Sequence, residues 1–507
     1  MKALSEAGWK VTLLDATPDP AALKGGWKTK TGRPVEAGFK GFWNQYPNIF
    51  ALVKELGLKD DQVFTPLTRS GLYTPKGLYT QAPIFSQLPR LPSPFGQALY
   101  TAPLFTDLPF SDRLSITGLI IEMTRYNSSP ERYVYYDKLT ALELFRQCGV
   151  SKGLLDGFLT PILLVGLFAP PEQLSAALVM DMLVYYAIAH QADFDVKWAR
   201  GPINEVLISP LAQSIIKRSE GQAEIKGSSR VKEVKIDDTS SDVEITFNEN
   251  GTEKTLKADA LILAMGSTGL KRLVSSSPTL AEKSYDLRKA AGSLGAIDVM
   301  ATRIWFDRAV MCEFPSNVFA NFPELEGAGG TFFCLDQLHD DPYGPNHQGP
   351  KGSVIAADFY NAGNLLSLTD DEIVRRLTEV LLPTAVPGFK EAKVIDSWVQ
   401  RFPQAVTRFS PGSAEFRPPI SLDGISNVLV AGDLVKDLNH GSAGLCQERA
   451  YVAGIEAANR LIRKYGGSAE HPILDIEKDE PQFKALKQVA KSADNVISSL
   501  GVDKWIF

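Results

Sequence analysis

The sequence has little cysteine: four residues in 507, Cys148, Cys312, Cys334 and Cys446, with no CxxC pair among them. That excludes a disulfide framework or a zinc module as the source of stability. Histidine is also scarce, five residues with no HExxH pattern and no close pair, so no metal centre is expected. Positive charge is not in excess, and a net charge of −6 gives no electrostatic footprint for nucleic acid. Long apolar runs are missing too. Phe158–Ala169 and Ala177–Ala189 are broken by Pro161 and Asp181 and fall well short of the ~20 residues of a spanning helix. With no signal peptide opening the chain, the expectation is a soluble or membrane-peripheral protein. What is present is ordinary: 44% hydrophobic and 22% charged residues, in a chain long enough for two or three domains.

Residues 2–7 read as the end of a helix stopped by Gly8, and Val11-Thr12-Leu13-Leu14 as a buried parallel strand ending at Asp15. An α/β domain seldom begins with the last turns of a helix, so a further strand and turn are expected to precede residue 1. Residues 66–110, rich in proline and aromatics, read as irregular structure packed on a core. Residues 111–195 read as mostly apolar helices, among them Lys138–Gln147 with Gly149 as its stop. Arg230–Ile236 and Val243–Phe247 alternate like half-exposed strands, and Asn250-Gly251 is a hairpin turn signal. Ala260–Met265 and Asn427–Ala431 are continuous apolar strands. Strands also dominate Ile297–Val310 and Ser353–Tyr360. Thr369-Asp370-Asp371-Glu372 opens a helix. Cys446–Lys464 is a helix with Ala450, Ala453, Ala457 and Leu461 on one side, ended by Gly466-Gly467. A polar tail follows, with an appended helix near Gln482–Val496.

Three constellations carry chemistry. Asp15 ends a strand where a carboxylate can accept both hydroxyl hydrogens of an adenosine ribose. The glycine loop of such a unit lies ~20 residues earlier, which counts back past Met1. Gly25-Gly26, Gly32 and Glu36-Ala37-Gly38 follow, and glycines let backbone approach a pyrophosphate. Lastly, Asn427–Ala431 runs into Gly432-Asp433, a carboxylate at a strand's carboxyl end. The helix after Cys446 then offers a positive dipole end, suited to the N1–C2=O edge of a reduced flavin.

Taken in order, these residues resemble the phytoene and ζ-carotene desaturase branch of the flavin amine oxidase superfamily. The matches are Leu14-Asp15-Ala16, Gly25-Gly26, Glu36–Phe39, Tyr46–Ile49 and Glu55-Leu56-Gly57. Further on come Arg200-Gly201-Pro202, Arg230-Val231, Ala258–Gly266, Gln404-Ala405-Val406, Pro411-Gly412-Ser413 and Ala431–Asp433 through Gly454. The resemblance implies an FAD cofactor. Asp15 would hold the ribose, Gly25 and Gly26 would line the pyrophosphate path, and Val231 would meet adenine through its backbone. Gly432 and Asp433 would bond the ribityl–pyrophosphate region. Glu448, Arg449 and Ala450 match the helix start under the isoalloxazine. No catalytic residue follows from it; His440 is the nearest candidate for a base, against a plain loop histidine.

The implied fold is α/β: a Rossmann-like FAD domain, with a parallel sheet and a β-meander, interleaved with an α+β substrate domain. The first would draw on 1–70, 196–295 and 410–465, the second on 71–195 and 296–409, with 466–507 as an extension. The implied reaction is hydride removal from a carotenoid-like isoprenoid to flavin, with peripheral membrane contact through apolar residues of 66–195 and a plastid location. Three departures stand against it. The first strand and glycine loop are absent, Phe39-Lys40 replaces a small apolar residue and a histidine, and Arg449 replaces a glycine. The alternatives are an amine oxidase of the same fold, with aromatics flanking the flavin, and a binding relic that has lost FAD.

Overall fold

The computed structural model describes residues 1–126, 130–237, 242–344 and 347–499. In chain order its strands are β1 (Val11–Leu14), β2 (Gly41–Trp43), β3 (Ser70–Thr74), β4 (Gly77–Ala82), β5 (Val196–Trp198), β6 (Ala223–Lys226), β7 (Ser229–Ile236) and β8 (Val243–Glu249). They continue as β9 (Thr252–Ala258), β10 (Leu261–Leu263), β11 (Gly295–Phe306), β12 (Ser316–Phe319), β13 (Gly329–Cys334), β14 (Val354–Tyr360), β15 (Val394–Arg408) and β16 (Val428–Val430). The helices needed below are α1 (Pro47–Glu55), α2 (Phe95–Thr101), α3 (Phe110–Leu114), α4 (Ser267–Ser276), α5 (Gln447–Tyr465) and α6 (Pro481–Ser499).

In the first unit parallel pairing occurs in two short pieces, β1 on β6 and β10 on β16. Beside them β7, β8 and β9 form an antiparallel meander, its β8–β9 turn made by Asn250-Gly251 with both residues at positive φ. Ala453, Ala457 and Leu461 of α5 share one buried core with β16 and with Leu270, Leu273 and Val274 of α4. A seven-stranded sheet in the order β15-β11-β14-β13-β12-β3-β4 forms the second unit, antiparallel except for β12 beside β3. The helices of 105–189 pack against it through Ile297 and Phe409. Its other face buries Met300, Ile304 and Phe332 against Leu377 and Leu381.

Four sequence expectations need correction. Val11–Leu14 is a parallel strand, but it is half-buried, because β6 is its only ladder partner among the described residues. Residues 66–110 are not irregular throughout. They hold the β3–β4 hairpin, whose Thr74-Pro75-Lys76-Gly77 turn is a proper turn sequence, and α2. Strand β15 went unmarked because most of its side chains are exposed or half-exposed, so no apolar alternation signals it. A register shift between Ile297 and Val299 also breaks its ladder, opposite the segment where Gln404 takes φ 52°. The polar tail is more than an appendage. Its strand-like part lies along the body, with Leu474 N–H on Asn48 Oδ1 at 2.8 Å and Glu477 N–H on Gln45 Oε1 at 3.0 Å. Phe483 of α6 is then fully buried in the helical layer.

Candidate active site

At the rim of β1, the carbonyls of Asp15 and Thr17 accept the N–H groups of Ser229 and Ser228, both at 2.7 Å. This lays the start of β7, and with it Val231, beside Asp15. Asp15 Oδ1 is spent on Thr17, accepting its N–H at 2.7 Å and its hydroxyl at 2.6 Å. Its Oδ2 has no partner among the described residues, which suits a ribose hydroxyl. Gly25 and Gly26 take φ values of 102° and 68°, which only glycine adopts without strain. Their amides are not free. Gly25 N–H bonds Ala22 C=O at 3.3 Å and Gly26 N–H bonds Asp19 Oδ2 at 3.3 Å.

At the end of β16 the chain passes Gly432-Asp433 and loops to α5. Two buried arginines hold this loop by its carbonyls. Arg417 donates to the carbonyls of Asp433, Leu434, Val435 and Ala443, at 2.7–2.9 Å. Arg449 donates to those of Val435 and Leu438 at 2.8 Å and of His440 at 3.0 Å. Burial, with Arg417 next, brings the Arg449 guanidinium down to about 10. Its Nε is buried without an acceptor. The Asp433 carboxyl is pushed up by burial, against the pull of Arg417 and Arg449. Gly441 takes φ 66° where the loop crosses the first turn of α5, and a Cβ there would sit 3.3 Å from Cys446 Sγ.

Glu448 joins the start of α5 to α1 and to His440. Fully buried, it accepts the N–H groups of Asn48 and Ile49 at 2.9 and 3.1 Å, and so neutralises the first turn of α1. It also accepts from Asn48 Nδ2 at 2.7 Å and lies 3.0 Å from His440 Nε2. His440 is therefore a partnered, buried loop histidine. Ala450, half-buried, continues the same turn. The amides of Gln447 and Glu448 have no acceptor within α5, as at any helix start.

Gln447 Nε2 donates to Gly41 C=O at 2.9 Å, so the segment Glu36–Gly41 runs past this helix start. There the structure assembles a cluster that sequence reasoning did not find. Arg303 of β11, 1% exposed, lies between Glu36 Oε1 at 3.6 Å and Asp358 Oδ1 of β14 at 3.7 Å. Among the described residues its only side-chain hydrogen bond goes from Nη1 to Thr302 C=O. Glu36 Oε1, Asp358 Oδ1, Arg303 Nη2 and His339 Nε2 are all buried without a hydrogen-bond partner. Asp358 Oδ2 accepts Phe39 N–H at 2.8 Å, and Glu36 Oε2 accepts Ile203 N–H at 3.1 Å. Lys40 Nζ turns back to Ala37 and Gly38 C=O, at 2.7 and 2.9 Å. Burial raises both carboxyls against the pull of Arg303, and lowers Lys40. Burial, with Arg303 next, holds His339 at about 3, so its imidazole is neutral. Aromatic rings wall the cluster. Phe39 stacks on Trp198 at 5.4 Å and meets Phe333 at 4.8 Å and His339 at 5.2 Å. The signal in the sequence was a single charge inside each of two apolar strands, Arg303 in Val299–Phe306 and Asp358 in Val354–Tyr360.

The sequence profile described as "Flavin containing amine oxidoreductase" matches residues 2–462. The chain belongs to this family. Among curated members it is 23% identical over 476 residues to a chloroplastic/chromoplastic 15-cis-phytoene desaturase of an Oncidium hybrid, covering 92% of this chain and 75% of the relative. It is 25% identical over 483 residues to a carotenoid phi-ring synthase of Streptomyces griseus, covering 91% and 85%. In fold, the cyclohexylamine oxidase from Brevibacterium oxydans superposes with a TM-score of 0.63 at 15% identity, over 91% of this chain and 95% of that one. The interleaved α/β architecture and a flavin-dependent oxidoreductase activity follow for this flavin amine oxidoreductase. Its own residues fit a flavin nucleotide at two points: the open Asp15 Oδ2, and the unspent amides and orphaned Arg449 Nε at the start of α5. The Gly25 and Gly26 amides do not offer themselves in the same way.

Proposed function

We propose that this chain is an FAD-dependent enzyme that desaturates or isomerises a carotenoid-like isoprenoid. Bound FAD would supply the acceptor for a hydride. Asp15 would hold its ribose, with Val231 at the adenine, Gly25 and Gly26 along the pyrophosphate path, and Gly432 and Asp433 at the ribityl end. The turn Glu448-Arg449-Ala450 would lie under its ring system, Glu448 acting indirectly by fixing α1. The observation that carries the reading is the passage of Glu36–Gly41, with its aromatic wall, across the start of α5. It brings an aromatic surface toward the helix start that follows Asp433. Exposed Phe95 and Leu99 on α2, and Phe110 and Leu114 on α3, support delivery from a membrane surface. Among the described residues no helix is long and apolar enough to cross a membrane. A plastid location goes with this reading, on the strength of plant relatives named as chloroplastic; organelle fractionation tests it.

A second reading has its own observation in favour. Phe39, Trp198, Phe333 and His339 around two buried carboxyls are what an oxidase of a neutral amine would use. One experiment separates the two. The FAD-loaded protein is mixed anaerobically with carotenes in liposomes or with primary amines, and loss of the flavin absorbance is followed. Bleaching by carotenes alone supports the first reading; bleaching by amines alone replaces it with the second.

A further inference from the structure

A groove of about 750 Å³ opens between α4 and the start of β11. Its lining includes Lys271, Arg272 and Arg408, apolar Leu294 and Ala296, and Ser267 at the first turn of α4, and it contains no acidic residue. Asp298, behind Gln404, is outside the lining and accepts the Gln404 N–H at 2.8 Å. Among the described residues Lys271, Arg272 and Arg408 form no ion pair. Arg408 Nε is buried and has no acceptor.

Arg408 is seated for a purpose that this chain's own groups do not fill. It pairs across the ladder with Gly295, and a Cβ on that residue would come within 2.8 Å of its Nη2 and 3.0 Å of its Nε. Glycine at 295 therefore lets the guanidinium lie flat against β11, with its fork held at the groove. The Ser267 N–H is taken by the Thr407 hydroxyl at 3.4 Å, which leaves the Thr268 and Gly269 amides of the helix start; with them, a planar fork of donors and two further cations select an anion with several oxygens. The groove lies within the range of about 300–1,000 Å³ typical of small-molecule sites, far more than a bare ion requires. Leu294 and Ala296 supply apolar wall for the rest of the molecule.

We propose that this groove binds a phosphate-bearing small molecule of roughly nucleotide size. It does not depend on the flavin reading, since none of its residues belongs to that site. Isothermal titration of the FAD-loaded chain, freed of unbound FAD by gel filtration, uses pyrophosphate and ADP as probes. The expected result is one-to-one binding that weakens with salt. Arg408→Gln should weaken it by at least about tenfold, because the fork carries the bidentate contact. The double variant Lys271→Gln/Arg272→Gln should weaken it comparably. Both of those residues are exposed, so that variant keeps its fold. Hydrogen exchange should show ligand protection across Ser267–Ser276. Phosphatidylcholine vesicles doped with phosphatidate form the second arm. Sedimentation with them, lost in the same variants, would identify a lipid phosphate as the source. Binding of neither probe, or binding undiminished in both variants, would overturn the proposal. Flavin content unchanged in the variants keeps this outcome separate from any failure of the flavin reading.

Discussion

Arg417 and Arg303 are almost equally buried, at 3% and 1% exposed, yet they are accommodated by opposite means. Arg417 spends its guanidinium on the carbonyls of Asp433, Leu434, Val435 and Ala443 and stacks over Phe409 at 4.9 Å. Arg303 spends one N–H on a carbonyl and faces two carboxylates beyond hydrogen-bond distance. A buried donor left unmet costs about 1–3 kcal/mol, more if charged. Satisfied, a buried arginine is a clamp that fixes a loop. Unsatisfied, beside orphaned Glu36, Asp358 and His339 atoms, it marks a site whose polar groups await a partner.

The contrast can be broken most easily at the clamp. Arg417→Met should cost about 3–5 kcal/mol, since four carbonyls lose their buried donor. Urea unfolding measures it, and a loss under 1 kcal/mol would mean the loop holds its shape unaided. Next in size is Glu448→Ala, which strands the N–H groups of Asn48 and Ile49. We expect a loss of about 2–3 kcal/mol by the same measurement, with Glu448→Gln recovering most of it.

Arg303→Met should cost less than either, below about 2 kcal/mol. Glu36 and Asp358 already have their pKa values raised by burial and can take up protons once the guanidinium is gone. If Arg303→Met proves as damaging as Arg417→Met, the two arginines are alike and the cluster is structural. The smallest effect concerns pH. His339 drops from 6.5 in the unfolded chain to about 3 when folded. Between those values the unfolded state binds the extra proton, so acidification through this window destabilises the fold. The slope contributed is at most about 1.4 kcal/mol per pH unit. His339→Gln should flatten the fall in Tm between pH 6.5 and 3 relative to wild type. Parallel curves would show that His339 is protonated in the folded state.

Local signals were readable where the residues that make an element also announce it. Cys446 caps α5 and Gly466 ends it, as its sequence suggests, and Asn250-Gly251 turns its hairpin. Gly432-Asp433 follows a strand that is buried along its length. Where the sequence misled, the deciding partner lay far along the chain. Strand β15 is invisible alone because its mostly exposed surface carries no alternation; β11 defines it. Glu448 matches a helix start by position, yet its side chain serves α1, four hundred residues away. Arg449 was legible as a departure from glycine, but not as a donor to the Val435, Leu438 and His440 carbonyls.

By itself the sequence determined the order of motifs, the α/β class, the helix that follows Asp433 and the glycines that permit positive φ. These follow from spacing, capping and backbone sterics, all of which act within a few residues. The tertiary structure alone decided that Arg303 and Asp358, on neighbouring strands, meet Glu36 of the segment that leads into β2. It likewise decided that Arg408 is seated by Gly295. Each of those meetings depends on sheet register and on one layer packing over another, and neither is encoded in any local run of the chain.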